Sequence, residues 1–174
     1  PVTVEAYADA DEVEFLINGA RAARVQVDKL KARADLTYQP GVLEAVAYRG
    51  GLPCARSRLE TTGAPAVIRL TADRDSIKAD GLDLYYVSIE LLDREGRLVP
   101  DKDLLVQTAV SGAGSLAGLG SGNPTSDEPY GLPYRHTHIG RALAILRAGQ
   151  TPGELVLTVS AQGLEAKQIT IKVH

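Results

Sequence analysis

Apolar and polar residues alternate with a period of two along most of this chain. Residues 168–173, with the sequence Gln-Ile-Thr-Ile-Lys-Val, show the pattern clearly. It is typical of a β-strand with one buried and one solvated face. The alternation recurs in Val2–Ala6, Val13–Ile17, Ile68–Ala72, Val87–Leu91 and Leu155–Val159. Repeated short strands separated by turns predict an all-β protein built from β-sandwiches, and they argue against an α/β enzyme core.

Glycine-containing turns separate several of these segments. Asn18-Gly19 is typical of a type I′ hairpin turn, because both turn residues must accept a positive φ. Arg49-Gly50-Gly51 predicts the next hairpin turn. Asp28 to Ala34 could form one helical turn, which is too short to be stable alone. Arg141 to Arg147 contains Ala and Leu, which also favour helix, but its place among predicted strands favours a strand.

A stretch of small polar residues, Gly and Pro at 61–65 predicts a domain boundary. We expect one domain at 1–62 and a second at 66–174. Strands are predicted in the first near 2–7, 13–17, 21–27, 35–39, 42–48 and 54–61. In the second they are predicted near 66–73, 84–93, 104–111, 114–119, 139–147, 153–161 and 166–173. Seven strands in about 110 residues is the count of an immunoglobulin-like sandwich, so we predict two tandem immunoglobulin-like β-sandwich domains. The first is small enough that we expect it to be incomplete, or to rely on the second domain or on additional upstream strands.

Composition and charge exclude two classes of partner. Of 174 residues, 44% are hydrophobic and 24% charged, which is an ordinary globular composition. The 19 basic residues do not exceed the 22 acidic ones, so the basic surface that nucleic acid requires is not expected. No apolar run approaches the roughly 20 residues that cross a bilayer, so no membrane partner is expected. The chain contains no Met, which favours a piece of a longer protein.

Catalytic motifs are not found in the sequence. The single cysteine, Cys54, has no partner for an internal disulfide and lacks the neighbouring ligands of a zinc site. We therefore expect it to be a small buried hydrophobe. No G-x-S-x-G, H-E-x-x-H or C-x-x-C motif occurs. The sequence predicts no catalytic residue, metal site or cofactor in this chain.

One long turn-rich loop, predicted at 118–134, is the best place to look for a site, because long loops in compact domains are often functional. Its three alternating glycines do not predict a phosphate site, since Pro124 and the prolines after it prevent the helix that such motifs need. Asp127 and Glu128 are adjacent, whereas a glycosidase pair stands about 5 to 9 Å apart across a cleft. We expect them to be solvated loop charges, with Ca²⁺ coordination by Asn123 and Asp127 as a lesser alternative.

Histidine and tyrosine residues near this loop give two further hypotheses. His136 and His138 lie on one face if their segment is extended, but a metal would need a third ligand, so we favour a structural or surface pair. Carbohydrate binding by β-sandwiches uses exposed aromatic rings. Tyr130 and Tyr134 are the candidate carbohydrate-binding residues. The tyrosines at 7, 38, 48, 85 and 86 are predicted in strands, at least half of them in the core.

Several segments resemble a known family. Val4–Tyr7 and Ala10–Gly19 resemble the V-x-x-Y-x-N-A-D-x-V-E-L-F-L-N-G run of bacterial glycoside hydrolase family 2 enzymes. Tyr38–Tyr48 is similar to the Y-x-P-G-x-L-x-A-V-A-Y that follows it. Ile68–Arg74 and Ile77–Gly81 are similar to the opening of the next C-terminal domain in that family, and Gly120–Glu128 resembles its G-x-G-[ND]-P-T-S-x-E loop. The chain departs from the family pattern at Tyr7–Asp9, in place of the usual Asn-containing turn, and at Arg135–Gly140, where an aromatic residue before Gly is more usual.

The resemblance covers nearly the whole chain and implies two tandem C-terminal accessory domains of a β-galactosidase-like enzyme. In such enzymes the catalytic carboxylates lie on an upstream (β/α)₈ barrel, so no catalytic residue is carried over and the barrel becomes the expected partner. The resulting hypothesis is a non-catalytic, structural fragment of a glycoside hydrolase. The alternatives are a carbohydrate-binding module and an adhesin-like immunoglobulin array. The resemblance favours the periplasm or the cell exterior, where polysaccharide-degrading relatives often act.

Overall fold

A computed structural model describes residues 1–174, and it contains strands and turns without helix. The all-β prediction is confirmed. No helix of the length and apolar character needed to cross a bilayer is present. The chain forms two compact units, Pro1–Thr61 and Thr62–His174.

The first unit consists of one four-stranded and one two-stranded sheet. Its strands are β1 (Val2–Tyr7), β2 (Glu12–Ile17), β3 (Ala20–Gln26), β4 (Lys31–Leu36), β5 (Val42–Arg49) and β6 (Leu52–Glu60). The larger sheet has the order β3-β2-β5-β6, and the smaller one pairs β1 with β4. All of these pairs are antiparallel. Its small core is formed by Val13, Phe15, Ala32, Ala34, Leu36 and Ala47.

The second unit consists of a five-stranded and a four-stranded sheet. Its strands are β7 (Val67–Ala72), β8 (Ser76–Ile77), β9 (Leu84–Leu92), β10 (Leu105–Gly112), β11 (Gly114–Gly120), β12 (Tyr134–His136), β13 (Arg141–Ala148), β14 (Gly153–Ala161) and β15 (Lys167–Val173). The sheet orders are β12-β10-β14-β15-β8 and β11-β13-β9-β7. Only β8 and β15 pair in parallel.

Alternating residues of the central strands form the core of the second unit. In β9, Val87, Ile89 and Leu91 are fully buried, while Ser88 between them is exposed. In β14, Leu155 and Leu157 are likewise buried. The period-two pattern of the sequence therefore identifies the inward face of both strands. The ambiguous segment at 141–147 is a strand, as predicted.

The predicted hairpin turns are present. Asn18 and Gly19 have φ values of 51° and 80°, and Gly50 and Gly51 have 57° and 78°. The prediction of a helical turn at 28–34 is wrong. Lys29 and Leu30 instead form a tight turn with φ values of 48° and 66°, and strand β4 then begins at Lys31, four residues earlier than expected.

Two predictions of burial are also wrong. Cys54 is exposed, because β6 is exposed along its whole length. Of the five tyrosines predicted in strands, only Tyr85 is buried; Tyr38 lies outside the strands, in the segment after β4. Tyr7 points outward from β1 and donates a hydrogen bond to Glu5 at 3.0 Å. An alternating strand places half of its tyrosines on the solvated face, and the sequence pattern alone does not show which half.

A buried aspartate closes the turn that follows β9. The Asp93 carboxylate accepts hydrogen bonds from the Gly63 amide at 2.9 Å, and from the Arg97 amide and Nε at 2.8 Å each. Its side chain is fully buried. Burial opposes ionisation of this carboxyl, but the bonds from Gly63 and Arg97 outweigh it and lower its pKa to about 2. Asp93 thus joins the first residues of the second unit to the end of β9.

Another tight turn precedes β13. Ile139 and Gly140 have φ values of 53° and 70°. A Cβ atom on Gly140 would lie 2.3 Å from the Val99 carbonyl oxygen, so glycine is required there. Ile139 is a β-branched residue in the left-handed region, which is energetically unfavourable.

Candidate functional site

The long loop connects β11 to β12 and spans residues 121–133, which we call the 121–133 loop. It is shorter than the predicted 118–134 because residues 118–120 pair with β13 and Tyr134 begins β12. Thr108 anchors its end: the Thr108 amide and Oγ1 both donate to the Pro133 carbonyl, at 2.7 and 3.0 Å. The loop therefore connects the four-stranded sheet to the five-stranded sheet, and Thr108 fixes its end on the latter.

A buried arginine organises the interior of the loop. Arg135 lies in β12 between outward-facing neighbours, and its side chain points inward with only 1% of its surface exposed. Its Nη1 donates to the carbonyl of Glu128 at 2.8 Å and to that of Leu119 at 3.3 Å. Its Nε donates to Ser121 Oγ at 3.3 Å. The guanidinium also lies 4.4 Å from the centre of the Tyr130 ring, within range of a cation–π interaction.

These contacts make Arg135 a structural crosslink. Its planar donors bond the Glu128 carbonyl in the loop and the Leu119 carbonyl in β11, while the Tyr130 ring offsets part of the cost of burying a charge. Because the side chain is almost completely buried, it does not present its charge to an anionic ligand in this structure. Sequence analysis assigned no role to Arg135, because strand β12 was not predicted. Its place between Tyr134 and His136 in an alternating segment is the signal that could have identified it.

The Glu128 side chain forms a second contact between the loop and β12. Glu128 Oε1 lies 2.8 Å from Nδ1 of His136, and the Ser126 hydroxyl donates to Oε2 at 3.1 Å. The hydrogen bond to His136 lowers the pKa of the Glu128 carboxyl, against the opposing effect of burial. The prediction of a solvated charge is therefore wrong for Glu128, whereas Asp127 is exposed as expected.

The metal hypotheses gain no geometric support. His136 is engaged with Glu128, and His138 forms backbone hydrogen bonds with Arg141 across the tight turn. Asn123 Oδ1 accepts hydrogen bonds from the amide and hydroxyl of Thr125, at 3.0 and 2.9 Å. No group of three or more His, Cys, Asp or Glu residues is arranged to hold a metal ion.

Tyr130 and Tyr134, the candidate carbohydrate-binding residues, lie at the surface. Tyr130 is 64% exposed and Tyr134 is 44% exposed. The Tyr130 ring packs over Gly120, where an added Cβ would lie 3.4 Å from Cε1, and against Arg135. Tyr134 projects from β12, opposite Gln107. No ring contact joins the two tyrosines, so the structure provides two separate exposed rings.

Comparison with known proteins then identifies the family. Residues 68–170 match the family model described as Glycoside hydrolase family 2 C-terminal domain 5. The chain belongs to the C-terminal region of glycoside hydrolase family 2. Residues 1–55 match a second model, described as Domain of unknown function (DUF4982). The resemblance inferred from the sequence motifs is confirmed.

Relatives in glycoside hydrolase family 2 are much longer proteins. The chain is 37% identical over 169 residues to Beta-galactosidase BoGH2A of Bacteroides ovatus, covering 96% of the chain and 20% of that protein. A solved family 2 member from Bacteroides cellulosilyticus superposes with a TM-score of 0.93 at 32% identity, over 99% of this chain and 23% of that one. A beta-glycosidase from Bacteroides vulgatus gives a TM-score of 0.84 at 27% identity, over 99% of this chain and 22% of that one. The chain thus spans about a fifth of these proteins.

Proposed function

We propose that this chain is the non-catalytic C-terminal part of a β-galactosidase-like enzyme of glycoside hydrolase family 2, with a structural role. In this proposal residues 1–62 and 66–174 are two immunoglobulin-like accessory domains that support an upstream catalytic barrel. The alignment with Beta-galactosidase BoGH2A carries the proposal, because it includes 96% of this chain but only a fifth of that enzyme.

The geometry of the 121–133 loop agrees with a structural role. Glu128 and Arg135, the ionisable groups nearest its interior, are each engaged in internal contacts. A loop fixed in this way offers a rigid surface to a neighbouring domain rather than a mobile acid or base to a substrate.

An assay on two proteins tests this proposal. The purified 174-residue chain should not hydrolyse a nitrophenyl β-galactoside, while the full-length parent enzyme should. Deleting the chain from the parent should lower its melting temperature or disrupt its assembly. Turnover by the homogeneous chain would contradict the proposal, as would a truncated parent with unchanged stability, assembly and activity.

The exposed Tyr130 ring favours a second candidate function, recognition of carbohydrate. Arg135 of β12 and Gly120 of β11 pack against the ring, and an exposed aromatic face can stack on the C–H groups of a sugar. Calorimetric titration with galactose, lactose and a panel of polysaccharides tests this function. Binding should be lost in Tyr130→Ala and retained in Tyr7→Ala, whose ring is 71% exposed in the other unit. A folded chain that binds none of these sugars would exclude it.

A further inference from the structure

The two sheets of the first unit do not match in width. The four-stranded sheet β3-β2-β5-β6 faces a sheet of only two strands, β1 and β4. On β6, Ser57 and Leu59 pair with the core-facing positions of β5, yet both are exposed, and Leu59 is 68% exposed. Other strands of this sheet bury at least part of the corresponding face. A strip of the core face above β6 is therefore uncovered.

An open groove lies beside β1, above the uncovered part of the four-stranded sheet. It has a volume of about 490 Å³. One wall is five consecutive residues of β1, Thr3–Tyr7, and the floor comes from the large sheet. The floor residues are Phe15, Leu43, Ala45, Ser57 and Leu59. The groove thus combines an apolar floor with the free edge of a strand.

The alternation of hydrogen-bonded residues along β1 shows which of its amides face the groove. The Ala8 amide donates to the Leu30 carbonyl at 3.0 Å, and these two residues continue the register of the β1–β4 pair. In antiparallel pairs, alternate residues bond the partner strand and the others point away from it. The residues directed at β4 are therefore Val4 and Ala6. Those directed at the free edge are Thr3, Glu5 and Tyr7.

We propose that this groove is a docking site for an extended segment of the parent chain that precedes Pro1 and adds a strand antiparallel to β1. The added strand would complete a sandwich of four and three strands, which is the strand count of an immunoglobulin-like domain. A segment leading into Val2 needs only a tight turn to reach the β1 edge, so the entropic cost of closing the connection is small. The relatives are long enough to contain such a segment, since this sequence spans only about a fifth of their length.

The groove also specifies the chemistry of its occupant. The side chains of the added strand should alternate, with apolar residues over Phe15 and Leu59 and polar residues outward. Glu5 lies on the outward face of β1, where it pairs with Lys31, so a basic residue is favoured beside it on the added strand. This proposal rests on the proposed function only in taking the segment from the same parent chain.

Residue-resolved amide hydrogen exchange tests the proposal. The chain alone is compared with a chain that carries the roughly 15 preceding residues of the parent, enough for one turn and one strand. We expect exchange of the Thr3, Glu5 and Tyr7 amides to slow by at least about tenfold in the extended chain. The Val4 and Ala6 amides serve as internal controls, because β4 protects them in both proteins. If the extension leaves the Glu5 amide unprotected, the proposal is overturned. If the Thr3, Glu5 and Tyr7 amides become protected in the chain alone as its concentration rises, a second copy fills the groove and the proposal is also overturned.

A matched pair of substitutions provides a second readout. Leu59 and Leu52 lie on the same strand and are 68% and 72% exposed, but only Leu59 lines the groove. In the extended chain, Leu59→Asp should abolish the gain in melting temperature that the extension provides, whereas Leu52→Asp should leave it intact. Equal effects of the two substitutions would overturn the proposal. Neither readout depends on enzyme activity, so failure here is distinguishable from failure of the structural role.

Discussion

Arg135 illustrates how a single side chain determines the conformation of a long loop. A loop of thirteen residues carries many backbone polar groups, and those turned inward need partners. Arg135 supplies several donors from one rigid position, reaching the carbonyls of Leu119 and Glu128 and the hydroxyl of Ser121. Lysine has no planar arrangement of donors and cannot reproduce this set of contacts.

Replacing Arg135 should therefore destabilise the second unit. We expect Arg135→Met to lower its free energy of unfolding by about 2 to 4 kcal/mol, because the carbonyls of Leu119 and Glu128 lose their buried donor. Arg147→Met, at an exposed position of β13, is the matched control and should change it by less than about 0.5 kcal/mol. Urea unfolding followed by circular dichroism measures both. Equal effects would show that the contacts of Arg135 contribute nothing to stability.

Ile139 is a site where substitution should stabilise the protein. Its φ of 53° disfavours a β-branched side chain, whereas Asn-Gly is the preferred type I′ pair and already occurs at Asn18-Gly19. We expect Ile139→Asn to raise the free energy of unfolding by about 1 kcal/mol. Ile139→Leu removes only the β-branch and lacks the tolerance of positive φ that Asn has, so it should stabilise the protein by less than Ile139→Asn. An unchanged urea midpoint for the Asn variant would indicate that Ile139 makes a compensating contact.

At the scale of elements, the Asp93 turn should make stability depend on pH. The folded pKa of about 2 lies below the ordinary value of 3.8, so the ionised carboxylate stabilises the folded state at neutral pH. This contribution is complete above the unfolded pKa and is lost as the pH falls through the folded value. The difference in urea midpoint between the wild type and Asp93→Asn should therefore shrink between about pH 5 and about pH 2. A difference that stays constant over this range would contradict the assignment.

The sequence pattern is most informative for strands with one clearly buried face. In β9 and β14, the large aliphatic residues recur at every second position, and these positions are the buried ones. Strands β8 and β12 have two and three residues, too few for a period to be recognised. β4 was misplaced because Lys29 and Leu30 form a tight turn with none of the residues that favour it.

The sequence predicted the position of the long loop but not the contacts that hold it. Clustered Gly and Pro residues mark the 121–133 loop from sequence alone, since they exclude both helix and strand. The Arg135 and Glu128 contacts depend on the pairing of β12 with β10, which is long-range and leaves no local pattern. For the same reason the exposure of Cys54 was missed, because burial on β6 depends on the sheet that faces it.

At the scale of the whole molecule, the two units have cores of very different size. The core of the first unit has six buried residues, three of them alanines, while that of the second has seventeen. Burial of apolar surface is the main favourable contribution to folding, so the first unit should be much less stable.

Unfolding in urea should consequently occur in two steps. A fluorescent label on Cys54, the one cysteine of the chain, should report the transition at lower urea, and circular dichroism should show both. Phe15→Ala should lower the free energy of unfolding of the first step alone, by about 3 to 5 kcal/mol. Leu157→Ala should lower that of the second step alone, by about 2 to 5 kcal/mol. A single transition seen identically by both probes would contradict this expectation.

The free edge of β1 also bears on how this region can be inherited. A gene rearrangement that separates residues 1–61 from the segment proposed to pair with β1 would release a protein with an exposed strand edge beside an apolar groove, a combination prone to edge-to-edge aggregation. A rearrangement that carries the preceding segment along would release one with that edge paired. Under the docking proposal, selection against aggregation favours moving the first unit together with that segment.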